Sequence, residues 1–173
     1  MKTATHQKFF SILQEVFPKS ASEILSAEMI RDQLLSPFQL KLEKKVLEQV
    51  RSFVTKCYEI RDQKNYQEQL QISPDWVATP AILSCFDFHY SPAMGLKLIE
   101  VNTNASLYVT SHLLYLCQEL SVPDPQLEKL HRSFQQSFDF EAHNHCFIMD
   151  RQPNQEGLYF EFLLFKEWLE SKG

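Results

Sequence analysis

The chain has 173 residues, 44% of them hydrophobic and 23% charged, and a net charge of −5. That composition supplies a core and excludes disorder of the whole chain, and its Lys and Arg form no basic stripe of the kind a nucleic-acid surface needs. Only three glycines are present, Gly95, Gly157 and Gly173, too dispersed for a phosphate-cradling loop of the P-loop or dinucleotide type.

Residues 5–17 are predicted to be a short helix with Phe9, Phe10, Leu13, Val16 and Phe17 on one side, ended by Pro18. A second is predicted over 21–34, carrying Ile24, Leu25, Met29, Ile30 and Leu34 at helical spacing. Ser36-Pro37 has the chemistry of a helix start. The longest predicted helix runs from there to about Asn65, with Leu40, Val46, Leu47, Val50, Phe53, Val54 and Cys57 as its buried stripe. Residues 66–80 contain Pro74 and Pro80 and show little periodicity, so they are expected to be a connector.

The pattern then changes. Residues 82–90 and 96–102 are β-type, and Ser91-Pro92-Ala93-Met94-Gly95 between them has turn chemistry, which predicts a β-hairpin. Helices are expected over 107–120 and 124–138, a buried strand over 146–150, and a last helix that turns Phe160, Leu163, Leu164 and Trp168 inward and is capped by Gly173. The expected fold class is α/β with a mixed sheet: a helical region over 1–65, a connector over 66–80, and an α/β hairpin domain over 81–173. A strand normally follows such a final helix, so the chain is expected to be a fragment or a natural truncation.

Cys57, Cys85, Cys117 and Cys146 have no CxxC spacing, which argues against a zinc ribbon. The N-terminus lacks the apolar run and cleavage site of a signal peptide, and no apolar stretch reaches the roughly 18 residues that a membrane span needs. A reducing cytoplasm is therefore the expected location, with no membrane and no nucleic acid as partner.

Chemistry concentrates in the hairpin. Glu100 and Asn102 are two apart on one strand and so share a face, and counting back across the turn brings Asp87 roughly opposite them. Their neighbours Phe86, Phe88, Leu98, Ile99 and Val101 are apolar. Two carboxylates buried side by side are costly without a compensating positive charge. Mg²⁺, which accepts a few carboxylate and amide oxygens and shares its other positions with water and phosphate, would resolve the conflict. The alternative reading makes Asp87 and Glu100 rim residues and gives Asn102, Thr103, Asn104 and Ser106 a role in capping the next helix.

The string CFDFHYSPAMGLKLIEVNTNAS resembles the metal-binding hairpin of the ATP-grasp superfamily. It is most similar to the permuted branch that contains glutathionylspermidine synthetase, and FIMDRQPNQEGLYFEFLLFKEWL is similar to the pre-ATP-grasp part of those proteins. The resemblance covers about residues 80–173. It implies that Asp87, Glu100 and Asn102 hold Mg²⁺ against the phosphates of ATP, with Thr103, Asn104 and Ser106 near phosphate or substrate. His89, two residues from Asp87 on the same face, is read first as a solvated strand-end histidine and second as a metal or substrate contact. The resemblance also implies an ATP-dependent carboxylate–amine ligase acting on small molecules, of which this chain would be the N-terminal part. Relatives carry Arg two residues before the Asp, where this chain has Cys85, and their ATP-clamping lysines have no counterpart here. A non-catalytic binding or scaffold domain of the same descent is the second expectation, with a homodimer or a missing C-terminal half as partner. A cysteine hydrolase built on Cys85 with His89 as base is a third, against which stands the preferred reading of Cys85 as a buried structural cysteine. His143, His145 and Cys146 resemble a soft-metal cluster but lack a fourth ligand at a sensible spacing.

Overall fold

In a computed structural model the described residues are 4–31, 34–35, 41–69, 82–103, 105–118, 126–137, 148–155 and 157–172. Seven α-helices and one hairpin are formed among them: α1 (Ala4–Val16), α2 (Pro18–Ser26), α3 (Lys44–Arg61), α4 (Lys64–Gln69), β1 (Cys85–Ser91), β2 (Gly95–Asn102), α5 (Tyr108–Cys117), α6 (Gln126–Ser137) and α7 (Tyr159–Glu170). A 3-10 turn over Pro153–Gln155 precedes α7. The chain is thus mixed helix and strand, and the sheet among the described residues is a two-stranded antiparallel one rather than a larger mixed sheet. Residues 148–150 are irregular, and Met149 is 86% exposed, so the strand expected there is not formed over those residues. Residues 146 and 147, the connector beyond Gln69, Ser36-Pro37, Asn104 and Gly173 lie outside the described residues.

The chain divides into two compact units. One combines residues 1–38 with 105–173, and the other is the continuous stretch 39–104. This cuts across the division expected from sequence at 65 and 80. The physical reason is that α1 packs on α5 and α2 packs on α7, so the first two helices belong with the last three.

The discontinuous unit holds the core. Phe9 and Leu13 of α1, Ile24 of α2, Val109 and Leu113 of α5, and Phe160 and Leu164 of α7 are all buried. Each such side chain contributes roughly 1.5–3 kcal/mol by leaving water. Trp168 closes one side of this core, with Phe134, Phe165 and His131 packed edge-on against its ring. Pro18 does more than end α1: it occupies the first turn of α2, where a missing N–H costs nothing.

α2 stops eight residues earlier than the apolar spacing predicts. Glu28 adopts φ 48°, in the left-handed region. The Met29 amide donates to the Ile24 carbonyl at 3.2 Å and the Glu28 amide to the Leu25 carbonyl at 3.4 Å. This double closure normally uses glycine at the left-handed position. In a chain with three glycines a glutamate fills it, at a cost of about 1–2 kcal/mol.

The continuous unit is thinner. α3 begins at Lys44, later than Ser36-Pro37 suggests, because residues 41–43 are not helical and Glu43 is extended. Leu40 of its predicted stripe lies outside the described residues; of the rest only Val46 is fully buried, Val50, Val54 and Cys57 are half-buried, and Leu47 and Phe53 are exposed. α4 carries helix on to Gln69, into the segment expected to be a connector. The hairpin is held to α3 by two aromatic pairs, Phe53 with Phe88 at 5.6 Å and Tyr58 with Phe86 at 6.3 Å between ring centroids.

Candidate functional site

Gly95 ends the turn at φ 69°, a conformation open to glycine, and the Met94 amide donates to the Ser91 hydroxyl at 3.1 Å. From that turn β1 and β2 pair as Ser91–Gly95, Tyr90–Leu96, His89–Lys97 and Phe88–Leu98. Continued without interruption, this register would set Asp87 opposite Ile99 and send Glu100 to the other face. A bulge intervenes: Ile99 has no partner on β1, and pairing resumes as Asp87–Glu100, Phe86–Val101 and Cys85–Asn102. One inserted residue therefore moves Glu100 and Asn102 onto the face of Asp87, the kind of re-aiming that bulges perform. The outcome is a two-faced hairpin. Phe86, Phe88, Tyr90, Leu96, Leu98 and Val101 share one face, and Cys85, Asp87, His89, Lys97, Glu100 and Asn102 share the other.

On the polar face the Asn102 side-chain amide donates to Glu100 Oε1 at 2.9 Å, and the Cys85 thiol donates to Asp87 Oδ1 at 3.1 Å. Asp87 is half-buried; Glu100, Asn102, His89 and Thr103 are exposed. This corrects one premise of the sequence argument. Glu100 stays in water, so the carboxylate pair does not by itself demand a neutralising cation. Its donor set nevertheless suits Mg²⁺: two carboxylates and one amide, with open positions for water and phosphate oxygens. Among the described residues no three His, Cys, Asp or Glu side chains converge on a metal position, so His89 does not complete such a group. His143, His145 and Cys146 lie outside the described residues.

Cys85 is held as a thiol. Its proton bridges to Asp87, partial burial disfavours the thiolate, and the charges of Asp87 and Glu100 oppose a further negative charge, all raising its pKa. That is the reverse of what a cysteine nucleophile needs. Cys85 is accordingly expected to alkylate more slowly at neutral pH than a free thiol, and Asp87→Asn is expected to speed it. Iodoacetamide kinetics across pH check this, and a rate unchanged by the substitution would remove the bridge as the cause.

Ser106 belongs to the other unit and is exposed. Neither it nor Thr103 caps α5. The residue before that helix is Leu107, at φ 63° and with no side-chain cap. The cap arrives from fifty-two residues away: Glu161 on α7 accepts from the Val109 amide at 2.7 Å, the Thr110 amide at 3.1 Å and the Thr110 hydroxyl. Glu161 is 1% exposed. Its carboxylate therefore occupies the seat that an anion would take at this helix start.

α7 repeats the device. Glu167 accepts from the Lys19 amide at 3.2 Å and the Ser20 amide at 2.7 Å, capping α2, whose own cap position is Phe17. The signal available in the sequence is indirect: both helices start behind an apolar residue unable to cap, so their free amides require a distant acceptor.

No helix of the described residues is long and apolar enough to cross a membrane. No family model, curated protein or solved structure matches this chain.

Proposed function

We propose that the hairpin is the Mg²⁺–nucleotide element of an ATP-grasp-like carboxylate–amine ligase, to which this chain contributes the N-terminal part. The observation that carries the reading is the bulged register, which sets Asp87 directly across from Glu100 with Asn102 on the same face. The oxygen-only donor set supports it, as does the string around it, which resembles the family's metal hairpin. Asp87, Glu100 and Asn102 would hold Mg²⁺, and the ion would supply neutralisation of phosphate charge. To bind it, Asn102 must turn its carbonyl oxygen toward the carboxylates and give up its present bond to Glu100. Thr103 follows directly on β2 and Asn104 adjoins it in sequence, close along the chain to any bound phosphate. His89 shares the polar face two positions along β1, suited to contacting substrate rather than metal.

Calorimetry with Mg²⁺–ATP on the wild type and Glu100→Gln tests the assignment. The wild type is expected to bind and the variant to lose at least about tenfold in affinity, equivalent to 1.4 kcal/mol. Equal binding by both would sink it. Binding by neither would favour the second reading, a non-catalytic binding domain, for which the specific observation is the row of exposed apolar side chains on β2: Leu98, Ile99 and Val101.

A further inference from the structure

β2 gives one edge to β1. Among the described residues no backbone hydrogen bond outside the hairpin reaches Gly95–Asn102, so with respect to those residues its other edge carries open donors and acceptors. The order of side chains along that edge is Leu96, Lys97, Leu98, Ile99, Glu100, Val101. In an even strand residues three apart point to opposite faces. The bulge cancels that alternation: Lys97 and Glu100 both lie on the polar face, opposite His89 and Asp87, while Leu96 and Val101 both lie on the apolar face, opposite Tyr90 and Phe86. The segment thus reads apolar, positive, apolar, then apolar, negative, apolar about a centre between Leu98 and Ile99.

We propose that β2 pairs antiparallel with β2 of a second copy of this chain, about a two-fold axis through that centre, giving a four-stranded sheet. In this register Lys97 of each strand faces Glu100 of the other, twice, and Leu96 faces Val101, twice. Opposite charges placed directly across strands are favourable and like charges are not. The interface is isologous, as a closed dimer requires. A bulge ordinarily protects an edge, because an unrelated straight strand cannot follow it. A second copy carries the same bulge at the same place, and the two-fold axis superposes the two irregularities. Ile99, 66% exposed and without a partner on β1, then gains one in Leu98 of the other strand.

Sedimentation of the full chain over a concentration series, without added metal or nucleotide, tests this. The wild type is expected to show a monomer–dimer equilibrium. Lys97→Glu and Glu100→Lys, each of which creates two like-charge pairs, are expected to weaken it at least about tenfold. The double variant Lys97→Glu/Glu100→Lys restores complementarity and is expected to recover the dimer, which also shows that the single variants fold. A wild type that stays monomeric at its highest soluble concentration overturns the proposal. So do single variants that dimerise like the wild type, or a double variant that fails to recover. Lys97→Glu leaves the three proposed Mg²⁺ ligands in place, so failure here and failure of the nucleotide reading are separately visible.

Discussion

Glu161→Ala is expected to destabilise the discontinuous unit by about 3 kcal/mol, the scale for breaking a buried, hydrogen-bonded charge. For a unit of this size that is a fall of roughly 10 °C in Tm. The substitution strands the buried amides of Val109 and Thr110 at the start of α5 and removes the opposing charge at the helix end. Glu161→Gln keeps one acceptor oxygen but turns an NH₂ toward donors, so a smaller loss of about 1–2 kcal/mol is expected. The pH dependence has a definite sign. Burial raises the Glu161 carboxyl above its ordinary value, and the bonds from Thr110 and Val109 offset this only in part. The folded chain therefore binds this proton more tightly than the unfolded chain does. Its contribution is complete below the unfolded pKa and is lost as pH rises through the folded one. On acidification from neutrality the Thr110 hydroxyl can reverse and accept from the protonated carboxyl. The stability gap between wild type and Glu161→Gln is expected to widen, as measured by urea unfolding at stepped pH. A gap that narrows would mean that the ionised form is the one the fold prefers.

Phe88→Ala is expected to have its largest effect on the hairpin. The ring packs edge-on against Phe53 and is one of two aromatic pairs that fix the strands to α3. Losing it removes apolar burial and an aromatic pair, together about 2–3 kcal/mol for a half-buried side chain. Among its described residues the unit has only one fully buried apolar residue, Val46, and a two-stranded sheet is marginal without packing. Hydrogen exchange is expected to show lost protection over β1 and β2 while the amides of α5 and α7 keep theirs. Because Phe88 adjoins the bulge that sets Asp87 across from Glu100, the Mg²⁺–nucleotide binding proposed for this face is expected to weaken although no proposed ligand is altered. Unchanged protection of the hairpin would show that α3 is not what stabilises it.

Much of this is legible in the sequence. Helical spacing in α1, α5 and α7 and turn chemistry around Gly95 are local signals, and those elements form close to where the pattern puts them. Less local features were not readable. Glu28 ends α2 in a left-handed conformation that glycine usually announces, and no glycine stands there. Ile148 and Met149 have a strand's composition and lie exposed in irregular chain, because apolar runs are ambiguous without neighbours. For the candidate site, counting across the turn brought Asp87 near Glu100 and Asn102. The displacement that puts Asp87 and Glu100 face to face is a single unpaired residue, Ile99, which no pattern of residue types declares. The capping glutamates were invisible for a simpler reason: capping rules look along the chain, and Glu161 and Glu167 reach across it.

The interrupted unit also has a temporal consequence. The Ser20 amide finds its acceptor, Glu167, 147 residues further on. At synthesis rates of about 5–20 residues per second, α1 and α2 wait roughly 7–30 seconds for α7 to be made. Through that interval the stripe of Phe9, Leu13, Phe17 and Ile24 lacks the α7 side of its core. The stretch 39–104 is continuous and is made in full before α7. α1 and α2 thus keep their apolar stripe without its α7 partner until α7 has been made.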